Sequence, residues 1–183
     1  WVRLAFPQAS DEPMSGASGE DCRDWPCRPY TVRKWDPVRH EMTLDFVLHE
    51  GGVASAWAAG AKDGDTIGIG RGGGKFEPAM EADWFCLMAD LAALPAAARI
   101  LEELPAGRRV FAHIEVPHSD DRQVISSRAD VAITWHETFG QSGQATRLKD
   151  IARGIDLPSG GGGYIWIAGE ASAAAGARSH LRD

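Results

Sequence analysis

The chain has 183 residues, 44% hydrophobic and 25% charged, a globular composition that excludes intrinsic disorder and is long enough for one or two domains. Its 26 acidic against 19 basic residues leave a net charge of −7, which argues against a partner that is tracked along a phosphate backbone, so no nucleic acid is expected. Mean hydropathy is −0.26 and no apolar run nears the roughly 20 residues of a membrane-spanning helix, while three cysteines, an odd number, form no disulfide framework; the expectation is a soluble protein of a reducing compartment, the cytoplasm, without membrane contact.

Before residue 80 the signals are strands and turns. Arg28–Trp35 predicts a strand, and Trp35-Asp36-Pro37-Val38-Arg39-His40 supplies a hairpin connection. Glu41–His49 alternates, with Met42, Leu44, Phe46 and Leu48 on one face, the period of a half-buried antiparallel strand. Ala54–Ala61 reads as a short helix with Ser55 near its start, and the turn Lys62-Asp63-Gly64-Asp65 leads into a strand over Thr66–Gly70. Beyond residue 80, strand and helix alternate: Trp84–Ala89, Val110–Val116, Val131–Trp135 and Tyr164–Ala168 as strands, with Ala93–Leu104, Gln144–Arg153 and Ala171–Leu181 as helices. That alternation implies a mainly parallel sheet covered by helices. Ser10–Cys22 and Pro158–Gly163 are loops by composition. The division expected is therefore 1–80, antiparallel β, and 81–183, α/β.

Several motifs lead nowhere. Gly68, Gly70 and Gly73 satisfy G-x-G-x-x-G after a strand, but Lys75-Phe76-Glu77-Pro78 does not open a helix, so the run reads as an interdomain connection rather than a phosphate loop. Cys22 and Cys27 lack both zinc spacing and a second cysteine pair, and Cys86 in its apolar strand is a small buried hydrophobe. No G-x-S-x-G and no H-E-x-x-H is present, and Asp120-Asp121 reads as a solvated loop, so neither a catalytic acid/base set nor a metal site is expected.

The segment Arg28-Pro29-Tyr30-Thr31-Val32-Arg33 is more informative. In a strand Arg28 and Tyr30 share a face, where a guanidinium can meet phosphate and a ring can lie against a planar heterocycle; alone, such a pair also occurs as a surface pair across strands. Downstream come Asp45-Phe46-Val47-Leu48-His49 and then Gly52-Val53-Ala54-Ser55-Ala56-Trp57, small residues at a helix start whose amides, with Ser55, suit an anion such as a diphosphate. Arginine, aromatic platform and helix start together describe a nucleotide cofactor site.

This succession resembles the siderophore-interacting protein family, the FAD-dependent ferric-siderophore reductases of the vibriobactin-utilisation type with a ferredoxin-reductase-like fold. The matching stretches are Arg28–Arg33, Thr43–His49, Ala54–Trp57 and Asp63–Ile69, then Ala82-Asp83-Trp84, Asp90 with Ala93-Leu94-Pro95-Ala96, Leu101–Pro105 and Trp166–Ala171. The resemblance implies an antiparallel, flavin-binding Greek-key β-barrel, N-terminally incomplete because Trp1–Pro7 resembles a strand partway into it, followed by a parallel-sheet nucleotide-binding α/β domain. By the same resemblance Arg28 contacts the FAD diphosphate, Tyr30 and Thr31 hold the isoalloxazine, and His49 lies near the cofactor with Val47, Gly52 and Trp57. Ala54 and Ser55 bind phosphate. Asp90, Ala92 and Ala93 border the adenine side or the reductant pocket, and Gly169 and Glu170 sit at a sheet edge near the nicotinamide. The family's usual Gly-Asp-Glu-Thr-Ala-Leu-Pro run is here Ala89-Asp90-Leu91-Ala92-Ala93-Leu94-Pro95, a more apolar loop.

The implied activity is reduction of a ferric siderophore by NAD(P)H through FAD, by a monomer. Alternatives are a flavin reductase serving another acceptor, one fed by a protein electron donor, and a flavin- or siderophore-binding module without hydride transfer. Arg33 and Lys34, with Arg39, are candidates for a basic mouth that meets an anionic siderophore, or else ordinary solvated strand and turn charges.

Overall fold

A strand buried on one face needs alternation, while a strand buried on both reads as an unbroken apolar run. The two halves of this chain show one pattern each. A computed structural model describes residues 1–7, 25–74, 76–138 and 146–182 and divides into two units, Trp1–Lys75 and Phe76–Asp183.

In the first unit β1 (Val2–Ala5) lies between β2 (Cys27–Tyr30) and β5 (Gly68–Ile69), antiparallel to both. β3 (Lys34–Asp36) and β4 (Glu41–Thr43) form a separate antiparallel hairpin. Its turn is set by Asp36, whose carboxylate accepts the N–H groups of Val38 (2.9 Å) and Arg39 (3.0 Å). Helix α1 (Val53–Gly60) follows. Leu4 and Phe6, both fully buried, centre a small core with Ala54, and Tyr30, Leu44, Phe46 and Trp57 pack around it. These antiparallel sheets are the barrel-like part expected from the sequence.

Two strand expectations change here. Arg28–Trp35 is not one strand: the ladder with β1 ends at Tyr30, opposite Val2, and residues 31–33 leave it before β3 begins. Glu41–His49 pairs only as far as Thr43, because β3 offers three residues of partner. Leu44 and Phe46 still turn inward, but Leu48 is 61% exposed. An apolar alternation is satisfied by packing alone, and a strand also needs a ladder beside it.

The second unit is a four-stranded, all-parallel sheet in the order β8-β7-β6-β9, built from β6 (Trp84–Ala89), β7 (Arg109–Val116), β8 (Asp130–Glu137) and β9 (Gly163–Ala168). Every residue of β6 is buried, as its run of apolar side chains requires of a central strand. Phe85 and Leu87 face the cluster under α2 (Leu94–Glu103), where Leu94, Ile100 and Leu101 are buried. Trp84, Cys86 and Met88 face the other, covered by α3 (Leu148–Gly154) and α4 (Ala171–His180). Burial raises the Cys86 thiol to about 12, so it stays a protonated core residue. The Gln144–Arg153 helix is seen from Leu148, and Gln144 lies outside the described residues, as do Cys22 and the loop 10–22. Among the described residues no helix is long and apolar enough to cross a membrane.

The glycine run after β5 has a structural purpose. The N–H of Gly70 bonds to the carbonyl of Arg3 (2.7 Å) and that of Gly73 to Trp1 (2.8 Å), and a side chain at Gly72 or Gly73 would collide with Trp1. These glycines let the chain lie directly on β1, continuing the sheet edge rather than cradling phosphate.

Candidate functional site

β2 delivers Arg28 and Tyr30. Proline at position 29 is tolerated because β2 is an edge strand of its sheet. The Tyr30 ring lies 4.5 Å from that of Phe46, which meets Trp57 at 6.0 Å, and Phe6 touches all three rings edge-on or nearly so. Partial burial raises the Tyr30 hydroxyl above its ordinary pKa, and the Arg28 charge opposes that shift. Arg28 itself is exposed and donates to the carbonyl of Cys27 (2.8 Å). Trp57 thus belongs to the aromatic cluster that props Tyr30. Phe46 and Phe6 were missed by the sequence reading, although the alternation that put Phe46 beside Leu44 was a signal for the former.

Helix α1 opens at Gly52 with no side chain capping it and no acidic residue in its first turn. The N-terminal N–H groups of a helix are an anion site in waiting. Beside them is a hollow of about 560 Å³ lined by residues 48–53, the acidic Glu50 among them, with Ser55, Ala56 and Ala59. The Ser55 hydroxyl, itself buried, accepts the backbone N–H of His49 (2.7 Å), which ties the approach segment to the helix and leaves the hydroxyl proton to donate. The His49 imidazole lies over Gly52, where an added Cβ would stand 2.6 Å from its ring. Ala54 buries its methyl, so its backbone N–H is what it can offer. Val47 is half-buried on the same approach, and Thr31 half-buried just past β2. An uncapped helix start, a hollow and an aromatic platform in one unit fit the diphosphate and ring of a flavin nucleotide.

The basic mouth is not assembled. Arg33 is 7% exposed, with its guanidinium 3.9 Å from Asp45, and Arg39 bonds Glu41 at 2.9 Å. Lys34 is exposed on β3, opposite Thr43. Residues 31–33 leave the ladder with β1, and Arg33 turns inward to Asp45.

In the second unit the other expected residues gather where β6 and β9 end. Asp90, 8% exposed, accepts the N–H of Ala93 (3.0 Å) through one oxygen and that of Glu170 (2.7 Å) through the other. Ala93 is buried and Ala92 exposed. Gly169 has φ of +150°, and a side chain there would collide with the Asp90 carboxylate. Glu170 caps α4, accepting from the N–H groups of Ser172 (3.0 Å) and Ala173 (2.9 Å) and from the Ser172 hydroxyl (2.6 Å). The bonds from Ser172 hold its carboxyl below the ordinary range. The resemblance assigned Asp90, Ala92 and Ala93 to one place and Gly169 with Glu170 to another, and the structure joins the two groups through the Asp90 carboxylate.

Elsewhere in this unit His113 and His136 meet, Nδ1 to Nε2, at 3.1 Å. Ring centres 5.4 Å apart put those two nitrogens between the rings, the geometry of an N–H···N bond. Among the described residues no group of three or more His, Cys, Asp or Glu side chains could hold a metal ion.

Comparison with known proteins agrees across both units. A family described as siderophore-interacting FAD-binding domain matches residues 1–76, and one described as siderophore-interacting protein matches residues 82–183. Ferric vibriobactin reductase ViuB of Vibrio cholerae is 31% identical over 159 residues, 85% of this chain and 58% of its own length. The NADPH-dependent ferric-chelate reductase of Escherichia coli is 32% identical over 177 residues, 92% of this chain and 67% of its own. The crystal structure of a siderophore utilization protein from T. fusca superposes with a TM-score of 0.83 at 34% identity, over 99% of this chain and 72% of that one. The chain spans somewhat more than half the length of the vibriobactin reductase it matches.

Proposed function

The chain belongs to the siderophore-interacting protein family, and from that premise we propose that it takes part in FAD-dependent reduction of a ferric siderophore, with electrons drawn from NAD(P)H. Residues 1–80 are the flavin-binding half in this reading and residues 81–183 the half that receives the reductant side. The observation that carries it is the uncapped start of α1 opening on the hollow beside His49 and Ser55, in the half that matches a FAD-binding family.

Each residue has a task. The N–H groups at the start of α1 and the Ser55 hydroxyl hold the diphosphate, with Arg28 neutralising its charge. Tyr30, backed by Phe46, offers a flat apolar face to the isoalloxazine, and Thr31 lies beside it. His49, Val47 and Gly52 shape the wall. Gly52 does so by having no side chain, which lets the imidazole settle over the helix start. The chemistry a bound FAD supplies is acceptance of two electrons and their release one at a time. A ferric siderophore is the substrate: hard oxygen ligands bind Fe(II) less tightly than Fe(III), so reduction releases the ion. No acid/base pair is needed from the protein. The names of the vibriobactin and NADPH-dependent relatives support the substrate class and the donor.

The test is direct. Purified protein shows flavin absorbance, NADPH or NADH bleaches it without oxygen, and added ferric siderophore restores it while a colorimetric chelator traps Fe(II). Absence of bleaching by either nucleotide sinks the reductase reading and leaves a binding module. Arg28→Ala lowers flavin occupancy about tenfold or more at equal fold content, as loss of a charge-assisted phosphate contact predicts; unchanged occupancy removes Arg28 from the site.

A further inference from the structure

Open α/β sheets bind ligands outside the carboxyl ends of their strands, at the point where strand order reverses. In the order β8-β7-β6-β9 that point is the gap between β6 and β9: the chain leaves β6 through α2 towards β7 and returns through α3 to β9 on the other side. A dinucleotide is ordinarily held in such a gap by its pyrophosphate on a helix N-terminus, approached across glycines.

This gap is furnished differently. Its two helix starts each already hold a carboxylate of the chain. Asp90 occupies the N–H of Ala93 at the opening of α2 and reaches across the gap to the N–H of Glu170. Glu170 occupies the N–H groups of Ser172 and Ala173 at the opening of α4. The glycine at the crossing, Gly169, makes room for Asp90 and not for a ligand. At the ends of β7 and β8, Arg122 bonds Glu137, and the backbone N–H of Arg147 bonds Glu115 while its charge acts on His136.

We infer that Asp90 and Glu170 are specificity-determining residues that close the switch point to phosphate, so that a nicotinamide donor seats its phosphates away from the starts of α2 and α4. The inference rests on the reading that NAD(P)H is the donor. Two carboxylates at hydrogen-bond distance from the amides at these two helix starts both occupy the donors and repel a phosphate dianion.

Amide NMR of the isotopically labelled chain, titrated with NADP⁺, tests it without any turnover. The amides of Ala93, Ser172 and Ala173 stay unmoved up to about 10 mM in the natural protein. In Glu170→Gln, which keeps an acceptor and loses the charge, Ser172 and Ala173 move with at least roughly tenfold tighter apparent binding. Saturable movement of those three amides in the natural protein overturns the inference, and so does a Glu170→Gln protein of unchanged fold that gains nothing. Flavin bleaching by NADPH on the same sample keeps the two readings apart: failure to bleach counts against the donor, and movement at Ser172 against phosphate exclusion.

Discussion

Asp90 shows how much one buried carboxylate can organise. It satisfies two backbone N–H groups from opposite sides of the β6–β9 gap, and it is 8% exposed. Asp90→Ala strands the N–H of Glu170, at about 1–3 kcal/mol, while that of Ala93 keeps the backbone carbonyl of residue 90 (3.1 Å), so the melting temperature falls by a few degrees while Asp90→Asn, with one acceptor left, loses less; equal melting of the two variants would contradict this role. Gly52 is the counterpart in the first unit. Gly52→Ala is expected to leave thermal stability nearly unchanged, because the His49 ring can swing away, and to lower flavin retention, because the ring then enters the hollow. The absorbance ratio of flavin to protein reads that directly. The sequence singled out both residues through family resemblance. What it could not give was that Asp90 bonds Glu170 eighty positions on, since that pairing exists only once β9 lies beside β6.

At the scale of elements, parallel pairing of β7 and β8 brings together two histidines 23 positions apart. Burial lowers both below the ordinary value of 6.5, with His136 adding to the effect on His113 and Arg147 to that on His136. A folded-state pKa below the unfolded one means that the unfolded chain binds more protons between the two values, so stability rises with pH there. The contribution is complete above about 6.5 and is lost as pH falls towards the folded values. Melting temperatures measured from pH 8 to pH 5 therefore decline below about 6.5, and the double variant His113→Gln, His136→Gln flattens that limb. An unchanged slope would remove the pair from the acid response. Elements also show where local pattern misleads. The central strand β6 was legible because burial on both faces demands an unbroken apolar run, and α2 because Leu94, Leu101 and Leu104 recur on one face. β4 was overextended because alternation reports which side chains are buried and says nothing of which backbone groups are paired.

For the molecule as a whole, charge is the feature with a measurable consequence. The net charge is −7, and the cations proposed as a siderophore mouth are dispersed, with Arg33 on Asp45 and Arg39 on Glu41. Under the proposed function, an anionic ferric siderophore therefore meets net repulsion from this chain at long range. Salt screens it, so the association rate rises about two- to threefold between low and physiological ionic strength. Stopped-flow mixing at several salt concentrations decides the matter; a rate that falls with salt would reveal a basic funnel after all.

The sequence by itself determined the fold class, the division into an antiparallel and a parallel half, and the family, because periodicity records burial and an ordered set of motifs survives divergence. The tertiary structure alone decided which side chains face which. It turned Arg33 inward to Asp45, set His113 against His136, and filled the two helix starts at the switch point with Asp90 and Glu170. Those pairings join positions far apart in the chain, and hydrogen bonds and charges act over a few ångströms, a distance that only the folded backbone sets.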